Sequence, residues 1–561
     1  MHRLVLFGLV LASACTASAP PVTPPARSRY PGNLERARPL TRAERTRFTE
    51  TSRYADVVQF IDSLRLLGAQ INTGSIGKTT DGREIPYVIA SRPLVSTPDE
   101  ARRLRRPIVY VQGNIHAGEV EGKEALQALL RDLLFDSGVN VLDSIILLAV
   151  PIYNADGNER FAPQERNRRD QNGPALVGTR ANARSLDLNR DYIKADAPET
   201  AASLSMFRKW DPDVFVDLHT TDGSLHGYAL TYAPPLNPAS IFSGPFTRDT
   251  LLPTVRRRML ERHGFEVFDY GNFPRENGDP TEWRTYDSRP RFGTNYYGLR
   301  GRIAVLSEAY SHDPFPRRVA STYDFVAELL SYVAENADDI VDGSREADTR
   351  TTGWGNDPRS APSIAIRSAM SSAFSAPVRV EVVERTGDSV RYEAGLPPGV
   401  RRTGGVRTIR MPVYDRFVPA LSVPIPYAYA FSRAVGDSLV KRLLMHGIQV
   451  DELEQAIEPM VQTFIVDSAT RAANPFQGHN ERRFFGSWGT PAPRSLPAGS
   501  YVVRSGQPLG LLALYLLEPA SDDGFADWNA LDALATDREY PVVRIVQPLP
   551  ARLRPVPAAG N

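Results

Sequence analysis

The stretch Val109-Tyr110-Val111-Gln112-Gly113-Asn114-Ile115-His116-Ala117-Gly118-Glu119-Val120-Glu121-Gly122 decides how this chain is read. The apolar run from Ile108 to Val111 predicts a buried strand, a glycine and a polar turn follow it, and periodic spacing predicts a helix from Glu124 to Leu134. His116 and Glu119 stand three residues apart at this strand-to-helix junction. Such a pair can aim an imidazole nitrogen and a carboxylate at one point, as two ligands of a zinc ion would, with a third arriving from elsewhere in the fold. A surface histidine beside a glutamate that favours a helix N-terminus is the plainer reading of so short a motif. The rest of the chain has to choose between them.

Downstream, polar residues gather where apolar runs end. Ile145 to Ile152 predicts a second buried strand, followed by Tyr153-Asn154-Ala155-Asp156-Gly157. A basic loop carries Arg166, Arg168 and Arg169, and Ser185-Leu186-Asp187-Leu188-Asn189-Arg190-Asp191-Tyr192 comes next. Val214 to Leu218 runs into His219-Thr220-Thr221-Asp222, and Ile303 to Ser307 delivers Glu308. Upstream, Val57, Val58, Phe60, Ile61 and Leu64 give residues 54–67 one apolar helical face. Asp81-Gly82 is a hairpin-turn signal, and Tyr87 to Ala90 continues as a strand. Strand, helix and strand at this spacing predict an α/β sheet covered by helices, with sites beyond the carboxyl ends of the strands.

Composition narrows the chemistry. A chain of 561 residues with 42% hydrophobic and 23% charged residues predicts two or three domains with sizeable cores. The net charge of +1 points to no nucleic-acid partner. The single cysteine, Cys15, leaves no internal disulfide and no multi-thiolate metal site, so a metal would be held by histidine and carboxylate.

The N-terminus reads as a targeting segment over residues 1–19: a basic start, an apolar core from Leu4 to Ala14, then small residues. Cys15 sits where a bacterial lipoprotein signal places its acylated residue, although Ala12 stands where leucine is usual; cleavage after Ala17-Ser18-Ala19 is the rival. The expectation is an exported protein: periplasmic, anchored at the outer membrane or cell surface, or secreted. Residues 20–44 read as a proline-rich spacer.

Taken as a set, these motifs resemble the zinc metallocarboxypeptidase family, the carboxypeptidase A/B-like peptidases, over roughly residues 45–340. The resemblance implies a mixed central sheet flanked by helices and one zinc ion held by His116, Glu119 and His219. It implies that Asn189 and Arg190 grip the substrate's terminal carboxylate, that Asp187 holds His116 from behind, and that Glu308 is the catalytic glutamate. Pro151-Ile152-Tyr153-Asn154-Ala155-Asp156-Gly157 matches a family landmark. The oxyanion-stabilising arginine falls at Arg168, with Arg169 the alternative, and the mobile tyrosine at Tyr296, with Tyr297 beside it. The expected partner is a peptide with a free C-terminal carboxylate.

The chemistry is consistent with that family. Two neutral histidines and a carboxylate leave a zinc position for water and lower its pKa toward about 7. Glu308 could take that proton, Arg168 could meet the oxyanion, and Arg190 makes a two-pronged match to a carboxylate.

Other residues carry plainer expectations. His226 and His312 read as loop residues, Glu121 and Glu124 as helix first-turn acids, and Thr220 to Gly223 as a turn. Glu276, Asp279 and Glu282 share a Gly/Pro-rich loop with Arg275, Arg284, Arg289 and Arg291, so no charge preference is legible there. Residues 341–362 read as a linker and 363–561 as a mixed α/β or β-rich accessory domain without a ligand pattern. In it, Val378 to Val383, Val390 to Tyr392, Val406 to Val413 and Tyr501 to Val503 predict strands; Ala428 to Met445 and Leu509 to Leu517 predict helices. The rival functions are a deacylase of the aspartoacylase or succinylglutamate desuccinylase type, a cell-wall peptide amidase, and a non-catalytic surface binding protein.

Overall fold

The computed structural model describes residues 39–274, 279–371, 374–435, 437–532 and 538–557. The expected signal segment with Cys15, most of the spacer, and loop residues Arg275 and Glu276 lie outside them.

Eight strands form the central sheet: β1 (Asn72–Lys78), β2 (Glu84–Ala90), β3 (Ile108–Gly113), β4 (Ile146–Val150), β5 (Val214–Thr220), β6 (Leu230–Ala233), β7 (Val267–Asp269) and β8 (Ile303–Ala309). Their order is β1-β2-β4-β3-β5-β8-β6-β7. The β4-β3-β5-β8 centre is parallel, while β2 pairs antiparallel with β4 and β6 antiparallel with β8. The β1–β2 hairpin turns at Asp81-Gly82, where Gly82 has φ of 85°. The sheet is the mixed one expected.

Helices cover both faces because the central strands are apolar on both. Val109, Val111, Val216 and Val305 pack against α2 (Glu121–Phe135), α4 (Leu252–His263) and α6 (Phe315–Glu335). Tyr110, Phe215 and Ala304 face the opposite way, toward α3 (Pro198–Trp210) and α5 (Gly293–Leu299). α1 (Tyr54–Leu66) buries Val57, Phe60, Ile61 and Leu64, the expected face without Val58.

C-terminal to the sheet, three expectations are corrected. Residues 341–356 belong to α7 (Ala337–Asn356), not to an irregular linker: Ile340, Val341, Ala347 and Thr351 are buried on one face, and tertiary packing overrides the weak propensities of its glycines and threonines. Ala428–Phe431 is a strand between two others, so only Asp437–His446 of the predicted 428–445 helix forms. Val390-Arg391-Tyr392 lies in an exposed loop with no strand neighbour to pair with. The C-terminal region is β-rich, and its Ile364, Leu511, Leu514 and Trp528 share one apolar core with Tyr110, Phe215 and Tyr296. No core boundary falls near residue 363. Among the described residues, no helix is long and apolar enough to cross a membrane.

Candidate active site

The site forms where β3, β5 and β8 end. Parallel pairing sets His219 on β5 directly opposite Glu308 on β8, and the β3–α2 turn brings His116 and Glu119 to the same place. That turn is tight: Asn114 has φ of 68°, and a Cβ at Gly122 would lie 2.6 Å from Leu218 Cβ. Only glycine lets α2 approach β5 this closely.

His116 Nδ1 lies 3.1 Å from Glu119 Oε1, His219 Nδ1 lies 2.9 Å from Glu119 Oε2, and the two Nδ1 atoms are 3.2 Å apart. The far nitrogens are both tied down: His116 Nε2 sits 3.0 Å from Asp187 Oδ1 and His219 Nε2 3.0 Å from Asp217 Oδ2. Each carboxylate fixes a tautomer that turns the Nδ1 lone pair toward the shared centre. Asp217 is anchored in turn by Gln112, whose amide donates to Asp217 Oδ1 at 3.1 Å. The donor atoms of His116, Glu119 and His219 lie within 4.8 Å of one another. Two imidazoles and a carboxylate, buried and oriented from behind, fit a zinc ion that keeps an open position.

Glu308 stands beside this cluster, only 8% exposed, and among the described residues its Oε2 has no hydrogen-bond partner. Burial lifts its carboxyl well above the usual range, opposed by His219 and reinforced by Glu119 and Asp222. Burial would lift Glu119 as well, but His116, Arg168 and hydrogen bonds from both imidazoles hold it well below the usual range.

The remaining residues form the walls. Arg168 donates from one guanidinium nitrogen to the carbonyls of Thr220 and Thr221, at 2.6 and 2.8 Å, and holds the other 3.4 Å from Glu119. Arg169 is exposed and is not among the residues lining the cavity. Asn189 accepts a hydrogen bond from Gly293 N and holds its Nδ2 3.4 Å from His219 Nε2. The Arg190 guanidinium stacks 4.0 Å over the Phe292 ring. Asn154 caps its own turn and donates to the carbonyls of Ile115 and Arg180, while Asp156 accepts from Thr79, Asp81 N and Arg83. The Asn154–Gly157 landmark therefore braces the loops around the site from below.

Tyr296 is corrected. It is fully buried, its hydroxyl bonds His446 Nδ1 at 2.7 Å and accepts from Arg300, and Tyr297 stacks on Phe207. The turn of α5 points both rings into the core and Thr294 into the cavity. Among the described residues, the tyrosines lining the site are Tyr270 and Tyr286, and the buried Tyr286 hydroxyl has no hydrogen-bond partner. Arg180 also went unforeseen: it bonds Asp187 at 2.9 Å and lies 3.4 Å from Glu119. Tyr286 had no readable signal in its Gly/Pro-rich loop. Asp217 had one, because strand alternation puts it on the same face as His219.

Several plainer expectations change too. Glu121 pairs with Arg318 and accepts from Thr220 Oγ1, and Glu124 accepts from Thr51 and Ser52, so both are buried polar anchors of α2. His226 and His312 are buried outside the cavity, and Asp222 lines it. The cavity is small, about 100 Å³.

Residues 57–241 match the family model described as zinc carboxypeptidase. The chain is 25% identical over 493 residues to carboxypeptidase 2 of Trichophyton equinum, covering 83% of this chain and 81% of that one. It is 32% identical over 154 residues to carboxypeptidase Z of Homo sapiens, covering 26% and 22%. Among solved structures, a metallo-carboxypeptidase from Pseudomonas aeruginosa aligns at 19% identity over 52% of this chain and 70% of that one, with a TM-score of 0.37. Residues 57–241 thus carry a zinc carboxypeptidase domain, in a chain similar over most of its length to proteins named carboxypeptidases.

Proposed function

We propose that this protein is an exported carboxypeptidase that hydrolyses the last peptide bond of peptides bearing a free C-terminal carboxylate. One observation carries the reading: an oriented His116–Glu119–His219 donor set beside an unpartnered, buried Glu308, with Asn189 and Arg190 on the same cavity. Zinc held by His116, Glu119 and His219 would supply Lewis-acid polarisation and an activated water. Glu308 Oε2, without a hydrogen-bond partner among the described residues, would take a proton from the attacking water and return it to the leaving amine. Arg168 and Arg180, both 3.4 Å from Glu119, supply positive charge where the carbonyl oxygen becomes negative. Asn189 and Arg190 hold the terminal carboxylate, and Phe292 keeps the Arg190 guanidinium flat against the wall. Asp187 and Asp217 keep both imidazoles turned inward. Export and a lipid anchor at Cys15 rest on the N-terminal sequence.

Zinc content measured together with hydrolysis of C-terminally blocked and free peptides tests this. One zinc per chain and cleavage of free peptides alone is the expected result. Zinc without peptide cleavage would favour the acyl-amino-acid deacylase, and absence of zinc from the purified protein would remove the donor-set assignment.

A further inference from the structure

A much larger groove, about 1180 Å³, opens beside the catalytic cavity. Asp222 lines both. A second link joins them: Asn272, in the groove, donates to the hydroxyl of Tyr270, in the cavity, at 3.1 Å. One wall is the loop from Asp222 to Leu225, and the facing wall comes from the C-terminal region, the strand Phe374–Arg385. That strand lies at the edge of a three-stranded sheet whose central strand is Val400–Tyr414. Its outer side is docked to the catalytic domain by Glu381 N to Leu225 O at 3.0 Å and Gly227 N to Arg379 O at 3.0 Å. Past Glu381, residues Val382, Val383 and Arg385 line the groove.

We propose that this groove binds the part of a peptide substrate upstream of the cleaved bond, in extended form, and that it favours cationic side chains there. The proposal rests on the carboxypeptidase reading of the catalytic cavity. A cavity of about 100 Å³ has room for one residue of modest size, so the remainder of a peptide must leave it. The shared Asp222 marks the exit. A strand edge beside the path suits an extended chain.

The charges decide the preference. Glu381 is engaged by Tyr310 and by Arg402 Nε at 2.5 Å, and Asp279 pairs with Arg407. Asp170 and Asp222 remain exposed at the catalytic end, next to Gly223. Asp222 has its nearest cation, Arg168, at 3.6 Å, lies in the field of Arg180 and Arg190, and accepts from the Tyr270 hydroxyl at 3.4 Å, whereas Asp170 stands farther out. Among the described residues the groove has two exposed cations: Arg407, paired with Asp279, and Arg385, four residues beyond Glu381 and away from the catalytic end.

The test compares acyl-dipeptides with pentapeptides that share the same C-terminal residue and carry Lys, Gln or Glu upstream. Pentapeptides should show kcat/KM at least about 10-fold above acyl-dipeptides, since remote binding is spent on the reacting bond. Lys should exceed Glu by about 5-fold, the scale of one or two exposed charge pairs. Asp170→Lys should reverse that order, and Val383→Trp should erase the length advantage, both leaving acyl-dipeptide turnover unchanged as the control for folding. Equal rates for all lengths and charges would overturn the groove while leaving the carboxypeptidase intact. No cleavage of any peptide, short or long, would overturn both.

Discussion

At the scale of single residues, the site works by fixing orientation before charge. Asp217 and Asp187 each occupy the outward nitrogen of one histidine, so the inward Nδ1 atoms converge without a further partner choosing for them. Asp217→Asn is expected to lower zinc affinity 10- to 100-fold, measured by competition with a chelator, with secondary structure unchanged. Glu308→Gln keeps the shape and removes the proton acceptor. It should cut kcat by about 10² to 10⁴ while zinc content stays at one per chain. Intact turnover in that variant would assign the proton transfer elsewhere.

Elements set how close these residues come. α2 can reach β5 only across Gly122, whose missing Cβ leaves 2.6 Å to Leu218 Cβ, beside His219. Gly122→Ala must push helix and strand apart, and it is expected to cost about 1–3 kcal/mol in stability, read from denaturant unfolding, and to weaken zinc binding in parallel. The site segment after Asp187 is held from the other side by the C-terminal region: Asp187 N donates to Gln477 Oε1 at 2.8 Å, His479 Nε2 lies 2.7 Å from Asp196, and Arg442 also pairs with Asp196. Gln477 is therefore a positioning residue for Asn189 and Arg190. Losing one such hydrogen bond is worth about 1 kcal/mol. Gln477→Ala should raise KM about 5-fold with little change in kcat, and Gln477→Glu, which keeps the acceptor, should restore it.

At the scale of the whole molecule, the apolar core on one face of the central sheet is shared with the C-terminal region. Leu511, Leu514 and Trp528 pack with Phe215 and Tyr296, so a chain ended after residue 362 would expose apolar surface on the α3–α5 face and is expected to be insoluble. The C-terminal region also stores a pH dependence. Burial, helped by the charge of Asp523, pushes the Asp527 carboxyl up to about 8. The folded state keeps that proton while an unfolded aspartate loses it near pH 4. Folded protein therefore binds the extra proton between about pH 4 and 8, and stability falls as pH rises across this window, by up to about 1.4 kcal/mol per unit. Asp527→Asn should flatten the slope in unfolding curves recorded at pH 5 and pH 8.

Local spacing and residue type were enough for the strand-turn-helix at 108–135, the strands that end at His219 and Glu308, and the Asp187–Arg190 segment, because each carries its signal within a few consecutive residues. The β1–β2 hairpin was legible for the same reason. Tyr286 and Arg180 were not, since each reaches the site from a loop whose path is set by distant partners. Tyr296 was expected at the site through the family resemblance, but the turn of α5 points it toward His446. The helix at 337–356 was hidden by its glycines and threonines, and only packing against α6 and the C-terminal helix Gly510–Leu517 stabilises it. The sequence by itself determined which groups could do the chemistry, because ligand type and spacing are local properties. Only the tertiary structure decided which of the remaining tyrosines and arginines join them, and that the C-terminal region packs against the Asp187 segment, because those depend on contacts between residues tens to hundreds of positions apart.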